Sequence, residues 1–213
     1  SGGTPDFVDI NLANYNIDPN RLEDKLNLLY QNGKKIKAVI GVDYAGNPCD
    51  WESLRFFADK FEFQLINDNC HSMGAKYKDD KSYAVKFADI VTQSYHPVKN
   101  LTSGEGGSVL TVHSEIDKKI RLLRSHGMVK GNDTLAKNDY PWFYEMHEVG
   151  YNYRLTDIQS ALGLSQLSKL DSFVKKRQEI SEKYNAYFRD INFFQIPLQK
   201  NTIDHAFHLY PLL

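Results

Sequence analysis

Two hydrophobic periods divide this chain into helices and strands. Leu22, Leu26 and Leu29 fall at i, i+4 and i+7 behind Asp18-Pro19, which predicts a helix with one apolar face, opened by a proline in its first turn. Lys37 to Val42 is a largely apolar run that reads as a strand, and Asp50 to Phe61 is an amphipathic helix carrying Leu54, Phe57 and Ala58. Gln64 to Asp68 is a second short strand. Strand, helix and strand within about 30 residues form a βαβ unit, the building block of parallel sheets. Asp6 to Ile10, Asp89 to Gln93 and Gly106 to Val112 read as further strands. Ser114 is expected to cap a helix reaching Arg124, with Ile116, Ile120 and Leu123 inward. An aromatic-rich loop follows, holding Gly127, Gly131, Asn132, Tyr140, Pro141, Trp142, Phe143 and Tyr144. Thr156-x-x-Gln159 is a capping-box pattern. Behind it apolar residues recur at three- and four-residue steps from Ile158 to Tyr187, predicting one long helix over 156–190.

Composition narrows the class. The chain has 213 residues, 41% hydrophobic and 25% charged, with 26 basic against 27 acidic side chains. That is a globular composition able to bury a core. It lacks the basic excess expected of a nucleic-acid-binding surface. No apolar run approaches the ~18 residues of a membrane span. Cys49 and Cys70 are the two cysteines, too few and too far apart for a disulfide framework or a CxxC metal pair, and a reducing cytoplasm fits. The chain begins Ser1-Gly2-Gly3 without methionine and stops after His208-Leu209-Tyr210-Pro211, a run that reads as the start of a strand. It is therefore expected to be an internal piece of a longer protein.

In open α/β sheets ligands bind beyond the carboxyl ends of strands. Three clusters fall at such places: Asp68-Asn69-Cys70-His71, Ser94-Tyr95-His96-Pro97-Val98-Lys99 with Gly104-Glu105-Gly106-Gly107, and Gly150-Tyr151-Asn152-Tyr153-Arg154. Singly, each has a plain explanation. A strand-end Asp is commonly a turn former, a loop lysine is commonly solvated, and Gly104-x-Gly106-Gly107 lacks both the P-loop GK[ST] and the dinucleotide spacing. His96, His126, His205 and His208 show no metal-ligand spacing beyond an HxxH at the chain's end.

Taken in order, these segments resemble the DegT/StrS-type sugar-nucleotide aminotransferases, which are fold-type-I pyridoxal-phosphate enzymes. The resemblance rests on Asp68, His71, Ser94-Tyr95-His96-Pro97-Val98-Lys99 and Gly104-Glu105-Gly106-Gly107, and downstream on Arg124-Ser125-His126-Gly127 and Gly150 to Asp157. It implies an α/β, three-layer large domain of the PLP-dependent transferase type with a mostly parallel sheet, truncated at both ends. Residues 1–155 would be the large domain without its N-terminal part, 156–190 the connecting helix, and 191–213 the start of a small C-terminal domain.

The resemblance also assigns roles. Lys99 is similar to the Schiff-base lysine, whose amine must be partly deprotonated to attack an aldehyde. Asp68 would pair with the cofactor's pyridine nitrogen, keeping the ring an electron acceptor. His71 would pack against or hydrogen-bond the ring-oxygen side. Ser94 would donate to the phosphate and, with Asn152, face substrate. Asn152 would reach cofactor and substrate from a neighbouring subunit, which implies a homodimer with a shared site.

The implied reaction moves an amine from glutamate to a nucleotide-linked 4-keto-6-deoxy sugar. Val42-Asp43-Tyr44-Ala45-Gly46-Asn47-Pro48 and Pro97-Val98-Lys99 resemble the branch acting in pseudaminic-acid-type surface-glycan synthesis, although Asn100 and Leu101 stand where Pro and Ile are expected. Alternatives are amination of another nucleotide keto-sugar, such as a dTDP-linked one, and a non-catalytic domain that kept the fold.

Overall fold

The computed structural model describes residues 2–130, 140, 142–191, 193, 195–196 and 203–212. Gly131, Asn132 and Pro141 of the aromatic loop lie outside them. Helix α1 spans Pro19–Gln31, and the Asp18 carboxylate accepts from the Asn20 and Arg21 amides at its start. This N-cap satisfies donors that no helical carbonyl can reach. Strand β1 (Ala38–Val42), a 3₁₀ turn (Tyr44–Gly46), helix α2 (Trp51–Phe61) and strand β2 (Gln64–Asp68) follow. They are the expected βαβ unit, with β1 and β2 parallel and Val42 level with Asp68.

Strand β3 (Lys76–Tyr77) and helix α3 (Tyr83–Phe87) lead into β4 (Ile90–Ser94), which joins β2 in parallel. β5 (Gly107–Leu110) then adds antiparallel. The sheet order is β1-β2-β4-β5, so the α/β class with a mostly parallel sheet holds. Beyond it come α4 (Ser114–Arg124), the paired β6 (Met128–Val129) and β7 (Glu145–Met146), α5 (Asp157–Leu167), α6 (Leu170–Phe188) and β8 (Ile203–Asp204).

One face of the sheet carries the core. Leu65 and Val91 point into it and meet Leu22 and Leu26 of α1, Trp51, Leu54 and Phe57 of α2, and Val174 of α6. Ile40 and Val42, offset by one residue on β1, lie on the other face and are exposed, as the two-residue period of a strand requires.

Four expectations are corrected. Asp6 to Ile10 is no strand: Ile10 makes a single antiparallel bridge to Ile17, and Phe7 is exposed. A short run without a neighbouring strand has nothing to complete its backbone bonds. Ser114 does not cap α4 but is its first residue, following His113, which makes no side-chain cap bond. The helix over 156–190 is two helices. Its Thr156–Gln159 capping box is present, but the chain turns at Ser168-Lys169, where the Ser168 hydroxyl donates to Ser165 O and Lys169 N donates to Gln166 O. An i→i−3 step ends one helix and restarts the next without disturbing a three- or four-residue apolar spacing.

The fourth correction concerns the end of the chain. His208 to Pro211 does not begin a strand. Residues 203–209 instead return to the core, where β8 pairs antiparallel with β3 and Ala206 is fully buried. Arg177 of α6 donates to the carbonyls of Phe207 and His208, and Gln178 to that of His205.

This returning segment crosses the 3₁₀ turn closely. Ala206 N donates to Gly46 O at 2.9 Å, and Leu209 N to Ala45 O at 3.1 Å. Gly46 has φ +98°, and a Cβ on it would stand 2.9 Å from Phe207 N and 3.0 Å from His208 N. Backbone atoms cannot move aside as a flexible side chain can, and positive φ is itself costly for other residues. Gly46→Ala is expected to destabilise the fold by about 1–3 kcal/mol, measured as a lower urea midpoint. An unchanged midpoint would mean the crossing is looser than it looks.

Candidate active site

The sequence places its candidates at strand ends, and the parallel sheet gathers three of them. Asp68 ends β2, with Oδ1 accepting from the Cys70 amide at 3.1 Å. This bond turns the chain sharply, so that His71 follows at the same edge. The His71 ring is half-buried; its Nδ1 accepts from Ala45 N at 3.3 Å. Lys99 stands in the loop after β4, its amide donating to His96 O at 3.0 Å, near enough for its ammonium to act electrostatically on Cys70, His71 and His208.

Ser94 ends β4, level with Gly107 on β5, and its hydroxyl accepts from His96 N at 3.4 Å. The glycine turn after Lys99 lets β5 approach. A Cβ on Gly107 would stand 2.6 Å from Gln93 O, and one on Gly106, at φ +150°, would stand 2.7 Å from Ser103 Oγ. Asn152 is placed elsewhere. It is exposed and bridges antiparallel to Ser125 beside α4.

Two residues of this neighbourhood carry no mark in the local sequence. His208 lies against His71, the two rings tilted by 39° with centroids 4.4 Å apart. The pairing comes from the returning segment, so an HxxH spacing at the chain's end could not reveal it. Asn100, noted in the sequence only as a departure from a pattern, is buried and acts as a clasp. Its Nδ2 donates to Met73 O at 3.2 Å, Ala206 O at 3.4 Å and His71 O at 3.5 Å. The loop bearing Lys99 is thus tied to both histidine-bearing segments.

The electrostatics follow from this gathering. Burial lowers the His71 pKa and the Lys99 ammonium lowers it further, against an opposing pull from Asp68. Burial pushes His208 down to about 4, aided by His71, Lys99 and Arg177. Both imidazoles are therefore held neutral at physiological pH, and the His208 Nδ1 is buried without a hydrogen-bond partner. An amine, a carboxylate and two neutral flat rings at the carboxyl edge of a parallel sheet suit an aromatic ligand that must exchange a proton with a nitrogen base.

The depressed histidine pKa also sets a pH dependence. Between about 4 and the ordinary value of 6.5, the unfolded chain binds a proton at His208 that the folded chain does not. Stability is therefore present above that window and lost as pH falls through it. His208→Gln should flatten the decline of unfolding free energy between these pH values in urea titrations. An unaltered slope would show that the folded protein does not hold His208 neutral.

The chain and its fold are similar to known proteins. The model of the DegT/DnrJ/EryC1/StrS aminotransferase family matches residues 1–213. A UDP-4-amino-4,6-dideoxy-N-acetyl-beta-L-altrosamine transaminase of Campylobacter jejuni is 38% identical over 213 residues, which is 100% of this chain and 53% of that protein. The structure of Helicobacter pylori PseC, an aminotransferase involved in pseudoaminic acid biosynthesis, matches with a TM-score of 0.86 and 36% identity, over 100% of this chain and 53% of its own. The PLP-form of the putative sugar aminotransferase Spr1654 from Streptococcus pneumoniae matches with a TM-score of 0.80 and 27% identity, over 98% of this chain and 54% of its own. This chain spans about half the length of the curated relatives it matches. With its whole length matched, the chain belongs to the DegT/DnrJ/EryC1/StrS aminotransferase family.

Proposed function

We propose that this chain carries the cofactor-binding core of a pyridoxal-phosphate-dependent aminotransferase acting on a nucleotide-linked keto-sugar. The observation that carries the reading is the placement of Asp68 at the end of β2, His71 just beyond it against His208, and Lys99 in the loop after β4, near enough for its ammonium to act on both rings. The donor set fits the group: a carboxylate for a ring nitrogen, a neutral half-buried imidazole for a ring face, a hydroxyl for a phosphate and an amine for an aldehyde. The unpartnered His208 Nδ1 beside them is a buried polar atom that a polar ligand could satisfy.

When bound, the cofactor supplies an electron-accepting ring that stabilises the carbanion left when an amino acid loses its α-proton. Asp68, at the end of β2, would pair with the ring nitrogen and keep a proton there. His71 would pack against or hydrogen-bond the ring, its lowered pKa sparing the site a competing positive charge. Ser94, at the end of β4, would donate to the phosphate and face substrate. Lys99 Nζ serves as the base that takes a proton from carbon and returns it.

Glutamate is the proposed amine donor, and a UDP-linked 4-keto-6-deoxy amino sugar the acceptor. Support for the acceptor comes from the names of the Campylobacter and Helicobacter relatives. The setting is surface-glycan synthesis in the cytoplasm. Among the described residues no helix is long and apolar enough to cross a membrane. Asn152 would complete the site of a second copy in a homodimer. The segment around it supports this, for Trp142, Met146, Val149, Tyr153, Ile158 and Leu164 are all exposed, an apolar concentration unusual on a free surface.

Incubation of the natural full-length protein with pyridoxal 5′-phosphate, borohydride reduction and peptide mass analysis should find the phosphopyridoxyl group on Lys99. Lys99→Arg keeps the charge but not the reactive amine, and is expected to abolish the adduct and lower transamination by at least about 10³-fold. A folded protein with no adduct at Lys99 would move the assignment to a non-catalytic domain of the same fold.

A further inference from the structure

Strand alternation sends the neighbours of each proposed cofactor contact to the opposite face of the sheet. Asn67 and Asn69 flank Asp68, and Gln93 and Tyr95 flank Ser94. On that reverse side these flanking residues form one hydrogen-bonded chain that begins at a fully buried carboxylate, Asp43. Asn69 Nδ2 and Asn67 Nδ2 donate to Asp43 Oδ2 at 3.1 and 3.3 Å. Gln93 Nε2 donates to Asn69 Oδ1 at 3.3 Å, Ser108 Oγ to Gln93 Oε1 at 3.2 Å, and Tyr95 OH to Ser108 Oγ at 2.7 Å. The chain thus links the ends of β1, β2, β4 and β5.

Asp43 itself is held on all sides. Tyr83 OH donates to Oδ2 at 2.6 Å, while Cys49 N and Trp51 Nε1 donate to Oδ1 at 2.8 and 2.9 Å. Its carbonyl accepts from Ser72 Oγ at 3.1 Å, next to His71. Because its side chain is enclosed, it can reach substrate or cofactor only through these partners. A polar network that merely filled the core would be no better than packed hydrocarbon. A network whose members alternate with site residues along two strands does more, because each bond restricts the rotation of the backbone that aims those residues.

We propose that Asp43 is a positioning residue, which through Asn67, Asn69 and Gln93 fixes the aim of Asp68 and Ser94 at the cofactor. The inference rests on the reading that Asp68 and Ser94 hold pyridoxal phosphate.

The test compares the natural full-length protein with Asp43→Asn and Gln93→Met. Asn in place of Asp43 sets an amide NH₂ against donors from Tyr83, Asn67 or Asn69, while Gln93→Met cuts the chain at a half-buried position with little change in volume. Cofactor-free protein is titrated with pyridoxal 5′-phosphate, and the visible circular dichroism of the bound form is recorded as a measure of ring orientation. Asp43→Asn should weaken cofactor binding by about 10-fold or more and reduce or shift the dichroic band. Gln93→Met should do so to a smaller degree, by roughly 3-fold. If Asp43→Asn does not fold, Gln93→Met decides. Folded variants with the parent's affinity and dichroic band, and only a lower melting temperature, would overturn the proposal by showing a purely structural network. Absence of the Lys99 adduct in the unsubstituted protein would instead overturn the cofactor reading, and this inference with it.

Discussion

A carboxylate taken out of water without partners costs several kcal/mol or more, and the buried Asp43 therefore dictates much of what surrounds it. Burial pushes its pKa up, and the donors from Tyr83, Cys49, Asn69 and Trp51 pull it back. Those donors come from α3, from the start of α2 and from the end of β2. Trp51 and Tyr83, the largest fully buried side chains, are amphipathic: each contributes ring area to the core and turns its one polar atom toward Asp43. The hydrophobic core and the polar network are thus the same object seen from two sides. Moving α2 or α3 would both open a cavity and leave a charge unpaired.

The arrangement also explains why the candidate site can be both polar and well ordered. Asp68, Ser94 and Lys99 lie at chain segments whose neighbours are bonded in the interior, and Asn100 holds the Lys99 loop against two other segments. Side chains that must meet a ligand cannot satisfy one another fully in its absence. Their placement has to come from the backbone beneath them, and here that backbone is fixed by the strand ends.

Much of this was legible in the sequence, for identifiable reasons. The βαβ unit follows from local periodicity, and Asp68, His71 and Lys99 belong to short motifs whose order along the chain is itself informative. Features that depend on distant pairing were not legible. Asp43 sits in a segment that marked a family branch, and nothing nearby signals that three side-chain donors from β2 and α3 converge on it. His208 looked isolated because its partner lies on the far side of the chain. The turn at Ser168-Lys169 was hidden because a one-step change in helical hydrogen bonding leaves the apolar spacing intact, and Asp6 to Ile10 misled because a strand needs a neighbour that a local pattern cannot supply.

The returning segment has a consequence for how this protein is made. β8 pairs with β3, Ala206 fills the core, and His208 covers His71, so residues near 205 finish a structure begun near residue 40. On a ribosome the sheet and its first helices emerge well before the segment that covers them. Closing so long a loop is slow compared with forming local βαβ contacts. During that interval the nascent chain exposes apolar surface and an open ring face at His71, the condition in which partly made domains aggregate or recruit chaperones. The amine of Lys99 therefore gains its two-histidine surroundings only after the segment around residue 208 has emerged and docked.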